Sequence, residues 1–238
     1  MLGGDGTSSR VANAILKSGL DCLLAVVPTG TGNDFAKTLG VNAATPEDVV
    51  ALLQHESPER IDVGRVDEDY FLNSCGFGFD ASVLEASRSV RFLTGDAVYI
   101  YSALRQLFTY RGMQVSASDI RALQPGPMLM VTVSNGRYLG GAFRIAPHAS
   151  VLDGKLDACF FGDSSVVQRA RLFAGALRGK HLGMRGVSSA SVQQLSLTFT
   201  APPSMEIDGE LRTARSSTVR LECVPRALSV LAAPGALE

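Results

Sequence analysis

The chain has 238 residues, of which 46% are hydrophobic and 19% are charged, so it is long enough for one large domain or two small ones, each with a buried core. Its formal net charge is −1, which leaves no basic field for the backbone of a nucleic acid. No run approaches the roughly 20 apolar residues of a membrane span, and the amino terminus lacks the pattern of a signal peptide. We therefore expect a soluble, cytoplasmic protein whose membrane contact is peripheral.

A glycine-rich acidic loop, Gly3 to Thr7 (GGDGT), opens the chain, and a helix is predicted directly after it. Residues Ser8 to Ser18 space their apolar side chains as a helix does, a hydroxyl at Thr7 or Ser8 can cap the start, and Gly19 can end it. The continuous apolar run Cys22 to Val27 then predicts a strand that is buried on both faces.

A second glycine-rich acidic loop, residues 30–34 (GTGND), leads into a short helix predicted from Asn33 to Leu39 and stopped by Gly40. A further helix is predicted from Pro46 to Gln54, because Thr45 can cap it and acids follow the proline in its first turn. The order loop, helix, strand, loop, helix predicts half of an open α/β sheet, which we assign to residues 1–59.

From residue 60 onward short β-rich runs recur between turn signals, so residues 60–225 are predicted to form a β-sandwich. Two helical insertions are predicted within it, at Asp96 to Tyr110 and Ser164 to Lys180. The four cysteines lie far apart in apolar runs, which predicts reduced core thiols. The predicted strands are Ile61 to Val66, Tyr70 to Cys75, Gln114 to Ser118, Met128 to Ser134, Leu156 to Phe161, Val192 to Thr200 and Val219 to Val224.

The two glycine-rich loops indicate phosphoryl transfer. Glycines let a backbone approach a phosphate without a Cβ in the way, and a carboxylate such as Asp5 can face a magnesium ion or a ribose hydroxyl. A tight turn at the first loop and a helix N-cap role for Asp34 are the competing interpretations. The candidate phosphate-binding residues are Gly3, Gly4, Gly6, Thr7, Gly30, Thr31, Gly32 and Asn33.

Taken together, the motifs resemble the diacylglycerol kinase catalytic family, in the branch of bacterial soluble lipid kinases that is also similar to sphingosine kinases and distantly to NAD kinase. The resemblance spans nearly the whole chain in order and spacing. It is carried by GGDGT (3–7), GTGNDFA (30–36), IDVG (61–64), FLN (71–73), GFGFDA (76–81), DGKLD (153–157) and IDGE (207–210).

The resemblance implies an α/β plus β fold with an NAD-kinase-like two-domain architecture. An α/β nucleotide domain is followed by a β-sandwich domain, and the active site lies in the cleft between them. Residues 226–238, with a strand at Arg226 to Ala233, would return to the first domain. Family members carry further βα units before the GGDGT loop, so the nucleotide domain of this chain is expected to be truncated at its amino-terminal side.

The resemblance also implies ATP and Mg²⁺ as cofactors and assigns roles to three acids. Asp34 would belong to the network around the catalytic magnesium, and Glu210 would be the general base for the lipid hydroxyl. Asp153 would bind a structural magnesium together with backbone carbonyls near Ser150 and Lys155. A plain hairpin turn at residues 208–210 and an Asx turn at Asp153 are the alternatives.

The leading hypothesis is an ATP-dependent lipid kinase acting at the membrane surface on diacylglycerol or a related lipid such as phosphatidylglycerol or a sphingoid base. The large apolar residues of Val90 to Leu93 and Asp96 to Tyr110 could line an acyl-chain cleft, touch the bilayer or form ordinary core. NAD kinase is a second enzyme hypothesis, and a catalytically silent lipid-binding or regulatory protein is a third. A homodimer is left open, and no nucleic acid partner is expected.

Overall fold

The computed structural model describes residues 1–41, 45–55, 58–90, 96–117, 120 and 126–237. The helices in these ranges are α1 Asp5–Ser18, α2 Asp34–Thr38, α3 Pro46–His55, α4 Phe79–Ser89, α5 Asp96–Thr109 and α6 Val166–Ala176. The strands are β1 Leu2–Gly3, β2 Leu23–Leu24, β3 Val27–Pro28, β4 Pro58–Val66, β5 Asp69–Phe71, β6 Ser74–Gly78, β7 Val115–Ala117, β8 Met128–Ser134, β9 Leu156–Gly162, β10 Val187–Val192, β11 Gln194–Phe199, β12 Ser204–Ile207, β13 Glu210–Thr213 and β14 Thr218–Leu231.

The first helix is confirmed, but it begins earlier than the sequence predicts. Gly4 occupies the N-cap position without a side-chain cap, so the predicted capping role of Thr7 or Ser8 is wrong. Both hydroxyl residues lie inside the helix, where Ser8 Oγ donates back to the Gly4 carbonyl over 3.1 Å. The end is as predicted, since Gly19 has φ 68° and takes the left-handed conformation that favours glycine.

The predicted strand Cys22 to Val27 is wrong as a single element, because the run crosses between two sheets. β2 pairs parallel with β14, whereas β3 pairs parallel with β1. The side chains of Leu24 and Val26 remain in the core, while Leu23 is 49% exposed. Because β1 and β3 lie side by side and parallel, the two glycine-rich loops leave the same edge of this small sheet.

The short helix α2, ended by Gly40, and the helix α3 are confirmed. At α3, the Thr45 hydroxyl accepts the Asp48 N–H while the Asp48 carboxylate accepts the Thr45 N–H. This reciprocal pair is a capping box, so the sequence signal for the start of α3 is borne out.

Two larger sheets build the β-sandwich. One has the order β10-β9-β8-β6-β12-β13, and the other has the order β5-β4-β14-β11-β7 with β2 on the side of β14. Their facing sides form one apolar core in which, for example, the rings of Phe77 and Phe199 lie 5.1 Å apart. Cys75 and Cys159 are buried as predicted, whereas Cys22 and Cys223 are only partly buried.

The 14-residue strand β14 connects the sandwich to the first part of the chain. It pairs with β11 near its start, with β4 along its length and with β2 near its end. The ladder between β4 and β14 is interrupted between Val224 and Leu228. Asp62 closes this interruption, because its carboxylate accepts the N–H of Arg226 over 2.8 Å and that of Gly154 over 2.6 Å.

Helices α4, α5 and α6 pack beside the sheet that contains β8 and β9, around a second apolar cluster. The sequence analysis predicts α5 and α6 but not α4, and among the strands of the sandwich it misses β10, β12, β13 and the separation of β5 from β6. Residues 91–93 of the predicted apolar segment and Ser118 of the predicted strand lie outside the described residues. None of the helices in the described ranges is long and apolar enough to cross a membrane.

Candidate active site

The two glycine-rich loops touch each other through their backbones. A β-carbon placed on Gly30 would lie 2.5 Å from the Cα of Gly4, closer than two such atoms can approach. Asn33 closes the second loop, since its side chain accepts the Gly30 N–H over 3.0 Å and donates to the Gly30 carbonyl over 2.6 Å. The contact therefore requires glycine at position 30, and a β-carbon on Gly4 would be crowded at 3.0 Å from the Gly30 Cα.

Asp5 links the first loop to the second and to the sandwich. Its Oδ1 accepts the backbone N–H of Phe35 over 3.0 Å and lies 3.5 Å from Nδ2 of Asn73. Its Oδ2 lies against the second loop, 2.8 Å from where a β-carbon on Gly32 would sit. The carboxylate of Asp5 is thus held at the N-terminus of α1, where the helix dipole favours anions.

Asp34 is the second acid of the site and is only 4% exposed. It is not the N-cap of α2, because Asn33 occupies that position. The Asn33 side chain donates to the Gly30 carbonyl and does not cap the helix. Asp34 Oδ2 accepts the Gly141 N–H over 2.9 Å, and Oδ1 lies 3.1 Å from Lys37 Nζ. Burial raises the pKa of Asp34, the Gly141 hydrogen bond lowers it, and the nearby charge of Asp5 raises it further.

Asp5 and Asp34 are two neighbouring carboxylates that could hold a magnesium ion. Mg²⁺ is typically held by one or two carboxylates and keeps water and phosphate oxygens as its other ligands. A cation would also offset the repulsion between the two acids that contributes to the raised pKa of Asp34. Within the described residues, no group of three or more His, Cys, Asp or Glu side chains could hold a metal by itself.

The β12–β13 hairpin reaches the same region from the sandwich. Asp208 and Gly209 have φ 46° and φ 88°, so both turn residues are left-handed, as a tight type I′ hairpin requires. The Asp208 carboxylate accepts three consecutive backbone N–H groups before and at the start of β6, from Leu72, Asn73 and Ser74. Burial raises the pKa of Asp208 to about 6 although these hydrogen bonds oppose the shift.

Glu210 follows that turn and faces α1. Its Oε1 lies 3.9 Å from where a β-carbon on Gly6 would sit, so it is beside the GGDGT loop. Oε1 accepts from Arg10 Nε over 2.7 Å, and Oε2 accepts from Arg212 over 3.0 Å. The hairpin interpretation is thus present in the structure, and its turn carries Glu210 to α1, whereas the role of Glu210 as general base stays a prediction.

A polar surface that the sequence analysis does not predict lies on the other face of the hairpin. Ser74 pairs with Ser134, and Gly76 pairs with both Thr132 and Glu206, so these residues share one face of the sheet. We call this surface, with Asp80 of α4 over it, the polar chamber. Within the described part of the chain, the buried side-chain oxygens there without a hydrogen-bond partner are Ser74 Oγ, Asp80 Oδ2, Thr132 Oγ1, Ser134 Oγ and Glu206 Oε2.

Two acids of the polar chamber approach each other above Gly76. A β-carbon on Gly76 would lie 1.7 Å from Asp80 Oδ2 and 3.3 Å from Glu206 Oε2. Burial raises the pKa of Asp80 to about 7 and that of Glu206 well above its usual range, and the charge of Asp80 adds to the shift of Glu206. The sequence signal for this site was the alternation in β12, which turns Glu206 away from the apolar side that Met205 and Ile207 occupy.

The third predicted acid, Asp153, lies on the turn that precedes β9 and not between the glycine-rich loops. Its Oδ1 accepts the Lys155 N–H over 3.0 Å, which is the hydrogen bond of an Asx turn. The neighbouring Ser150 hydroxyl accepts the Leu152 N–H over 3.3 Å. The Asx interpretation is thus present in the structure, and magnesium binding by Asp153, Ser150 and Lys155 stays a prediction.

An α/β unit with two acidic glycine-rich loops, facing a β-sandwich that contributes a further acid and a polar chamber, defines a phosphotransferase-like architecture. The "Diacylglycerol kinase catalytic domain" model matches residues 1–66, and the "YegS C-terminal NAD kinase beta sandwich-like domain" model matches residues 73–232. The chain belongs to the YegS-like lipid kinase family. This confirms the predicted resemblance and the two-domain fold class.

Two relatives illustrate the relationship. A probable lipid kinase YegS-like protein of Pseudomonas aeruginosa (strain PAO1) is 32% identical over 235 residues, which cover 96% of this chain and 74% of the relative. A diacylglycerol kinase of Bacillus subtilis (strain 168) is 25% identical, over 87% of this chain and 69% of the relative. Among solved structures, a putative diacylglycerol kinase from Bacillus anthracis str. Sterne has a TM-score of 0.74 at 22% identity, covering 98% of this chain and 76% of that chain.

Proposed function

We propose that this protein is an ATP- and Mg²⁺-dependent lipid kinase that transfers the γ-phosphoryl group to a lipid hydroxyl, with diacylglycerol or a related lipid as the acceptor. The observation that carries the proposal is the convergence of Asp5 and Asp34 at two glycine-rich loops that touch through Gly4 and Gly30. Phosphoryl transfer needs a phosphate cradle, charge neutralisation and a positioned hydroxyl, and little else from the protein.

In this proposal, residues of the two loops hold the nucleotide phosphates with their backbone N–H groups, at the N-terminus of α1. Asp5 and Asp34 would hold Mg²⁺-ATP, which supplies the transferred phosphoryl group and the countercharge. Asp34 is kept in place by Gly141 and Lys37, which belong to different parts of the chain. The Gly141 hydrogen bond comes from the part of the chain that is proposed as the acceptor domain, so both parts of the chain help to position Asp34.

The acceptor lipid is proposed to reach the loops from the sandwich side. Glu210 takes the proton of the acceptor hydroxyl, as a carboxylate within hydrogen-bond reach can. We assign the polar chamber no part in binding the reacting hydroxyl, because Glu206 and Glu210 face opposite sides of the hairpin. Residues 1–59 with 226–238 form the nucleotide domain, and residues 60–225 form the acceptor domain.

The test is a lipid phosphorylation assay with purified protein, labelled ATP, Mg²⁺ and mixed micelles of diacylglycerol, phosphatidylglycerol or sphingosine. We expect label in the organic phase, lost in Asp5→Asn and Asp34→Asn, two nearly isosteric variants that remove one charge each. A matched control is Asp21→Asn, which removes an exposed carboxylate paired with Arg60 and should leave activity unchanged. Equal activity in Asp5→Asn and the parent protein would exclude the proposed site.

The same assay separates the two alternatives. NAD kinase activity would place label on NAD in the aqueous phase and none on lipid. A catalytically silent lipid-binding protein would bind lipid vesicles but give no heat with Mg²⁺-ATP in a calorimeter. Mg²⁺-ATP binding that is weakened in Asp5→Asn would argue against the silent protein even if the acceptor lipid has not been found.

A further inference from the structure

A charged groove of about 220 Å³ lies between α1, β5 and the β12–β13 hairpin. Arg10 and Lys17 of α1 and Arg212 of β13 line it, together with the acids Asp69 and Glu210. Three cations face two carboxylates, so the groove carries excess positive charge. It lies on the side of the hairpin that Ile207 and Glu210 face, opposite to the polar chamber, and none of the roles proposed above uses its cations.

Two arginines that line the groove contact the carboxylate of Glu210. Arg10 contacts Oε1 through Nε over 2.7 Å and through Nη2 over 2.5 Å, while Arg212 donates to Oε2 over 3.0 Å. Both oxygens of the proposed general base are thus engaged with guanidinium groups. A hydroxyl that must donate its proton to Glu210 has to compete with them.

The arginine contacts are of a kind that a stronger anion can replace. The Arg10 side chain is 76% exposed and that of Arg212 is 50% exposed, and exposed ion pairs contribute only about 0–1 kcal/mol. A phosphate also offers guanidinium groups a bidentate partner, with one negative charge in a phosphodiester and up to two in free phosphate near neutral pH. Lys17, 2.6 Å from Asp69, supplies a third cation, and Arg212 also lies 3.9 Å from Asp69.

We propose that the groove binds a phosphate group, and that this phosphate takes Arg10 and Arg212 from Glu210 and so frees the base. The phosphate can be the head group of an anionic phospholipid or a free phosphate. On α1, Arg10 follows Gly6 by about 6 Å and Lys17 follows Arg10 by about 10 Å, so the groove leads away from the reacting phosphoryl group. The exchange breaks no covalent bond, and it rests on the proposed role of Glu210.

The activity test uses diacylglycerol in uncharged detergent micelles, with and without phosphatidylmethanol, a phosphodiester lipid whose head group carries no hydroxyl. Inorganic phosphate is added in a parallel series. We expect saturable activation of about tenfold, because a freed general base contributes at least that much. Activation by both anions identifies free phosphate as sufficient, and activation by phosphatidylmethanol alone identifies the lipid head group. No activation by either anion overturns the proposal.

Variants assign the effect to the groove. Lys17→Gln should raise the half-activating anion concentration about tenfold without changing the maximal rate, which corresponds to the loss of one charged contact. Arg10→Gln should raise the rate without anion and remove the response. Arg178→Gln, an exposed cation beyond α6, is the matched control and should behave like the parent protein. If Lys17→Gln matches Arg178→Gln, or if Arg10→Gln is no faster than the parent without anion, the proposal fails.

A binding measurement separates the groove from the proposed activity. Calorimetric titration of the full chain with inorganic phosphate, without nucleotide, should give a signal that Lys17→Gln weakens and Arg178→Gln does not. Circular dichroism melting of each variant checks that it is folded. Phosphate binding that depends on Lys17, in a protein that phosphorylates no lipid, supports the groove and sinks the proposed function. If the protein phosphorylates lipid but Lys17→Gln does not change anion binding, the proposed function is supported and the phosphate site in the groove is excluded.

Discussion

Replacing Asp80 by asparagine should make the protein more stable at neutral and alkaline pH. Asp80 is 6% exposed, its Oδ1 accepts the Ala81 N–H over 2.7 Å, and its Oδ2 has no partner among the described residues. Burial raises the pKa of Asp80 to about 7, from 3.8 in the unfolded chain. Asparagine keeps the shape of the protonated acid but cannot acquire the charge.

The sign follows from proton linkage. An acid whose pKa is raised by folding stabilises the folded state fully below pH 3.8, and this stabilisation is lost as the pH rises through about 7. A shift of about three pKa units at 1.36 kcal/mol each gives an upper bound of about 4 kcal/mol for the cost at pH 8. Removing the Asp80 charge also relieves Glu206, whose pKa it helps to raise, so both effects have the same direction.

The assay is urea unfolding followed by circular dichroism at pH 4.5, 6 and 8. We expect the free energy of unfolding of Asp80→Asn to exceed that of the parent protein by about 2–4 kcal/mol at pH 8, with the difference shrinking toward pH 4.5. Glu85→Gln, on the exposed face of the same helix, is the matched control and should show no such trend. An Asp80→Asn variant that is less stable than the parent at pH 8 would refute the assignment of a buried, unpaired carboxyl.

Three further outcomes are expected. Gly30→Ala should raise the KM for ATP about tenfold, because the β-carbon of alanine would push the second loop away from Gly4. An unchanged KM would mean that the contact between the loops does not shape the nucleotide site. Asp208→Ala should lower the free energy of unfolding by about 3 kcal/mol, measured in urea, because three buried N–H groups lose their acceptor; a loss below about 0.5 kcal/mol would contradict this. Phe108→Ser, at a 69% exposed position on α5, should leave stability unchanged but weaken sedimentation of the protein with phospholipid vesicles. Val167→Ser on α6 is the control and should not weaken sedimentation. Equal sedimentation of the two variants would exclude α5 as the membrane-facing helix.

Local signals in the sequence predict much of the fold. Gly19 and Gly40 end helices where expected, and the Thr45 cap is present. The prediction for Cys22 to Val27 is wrong because apolar periodicity reports burial and not the partner strand, and this run changes partners in its middle. The missed helix α4 begins at Phe79 directly after β6, with Gly78 as its N-cap, and it contains three serines, so its composition resembles that of a loop.

The residues of the candidate site also fall into those that the sequence predicts and those that it does not. The loop acids Asp5 and Asp34 are recognisable because glycines surround them in sequence. Glu206 and Asp80 are not, since each is a single acid in an apolar or helical context and the two meet only when β12 pairs with β6. The contacts of Glu210 with Arg10 are likewise invisible in the sequence, because 200 residues separate the partners.

The shared strands β4 and β14 determine how the cleft can admit its ligands. Both walls of the cleft are attached to the paired strands β4 and β14. Where this pairing is interrupted near Val224, the Asp62 carboxylate accepts the N–H groups of Arg226 and Gly154. A rigid rotation of one wall against the other would have to bend these strands and break those bonds. We therefore expect the two walls to keep a constant separation, and α4, α5 and α6, which pack around the apolar cluster beside β8 and β9, to be the elements that can shift without bending these strands.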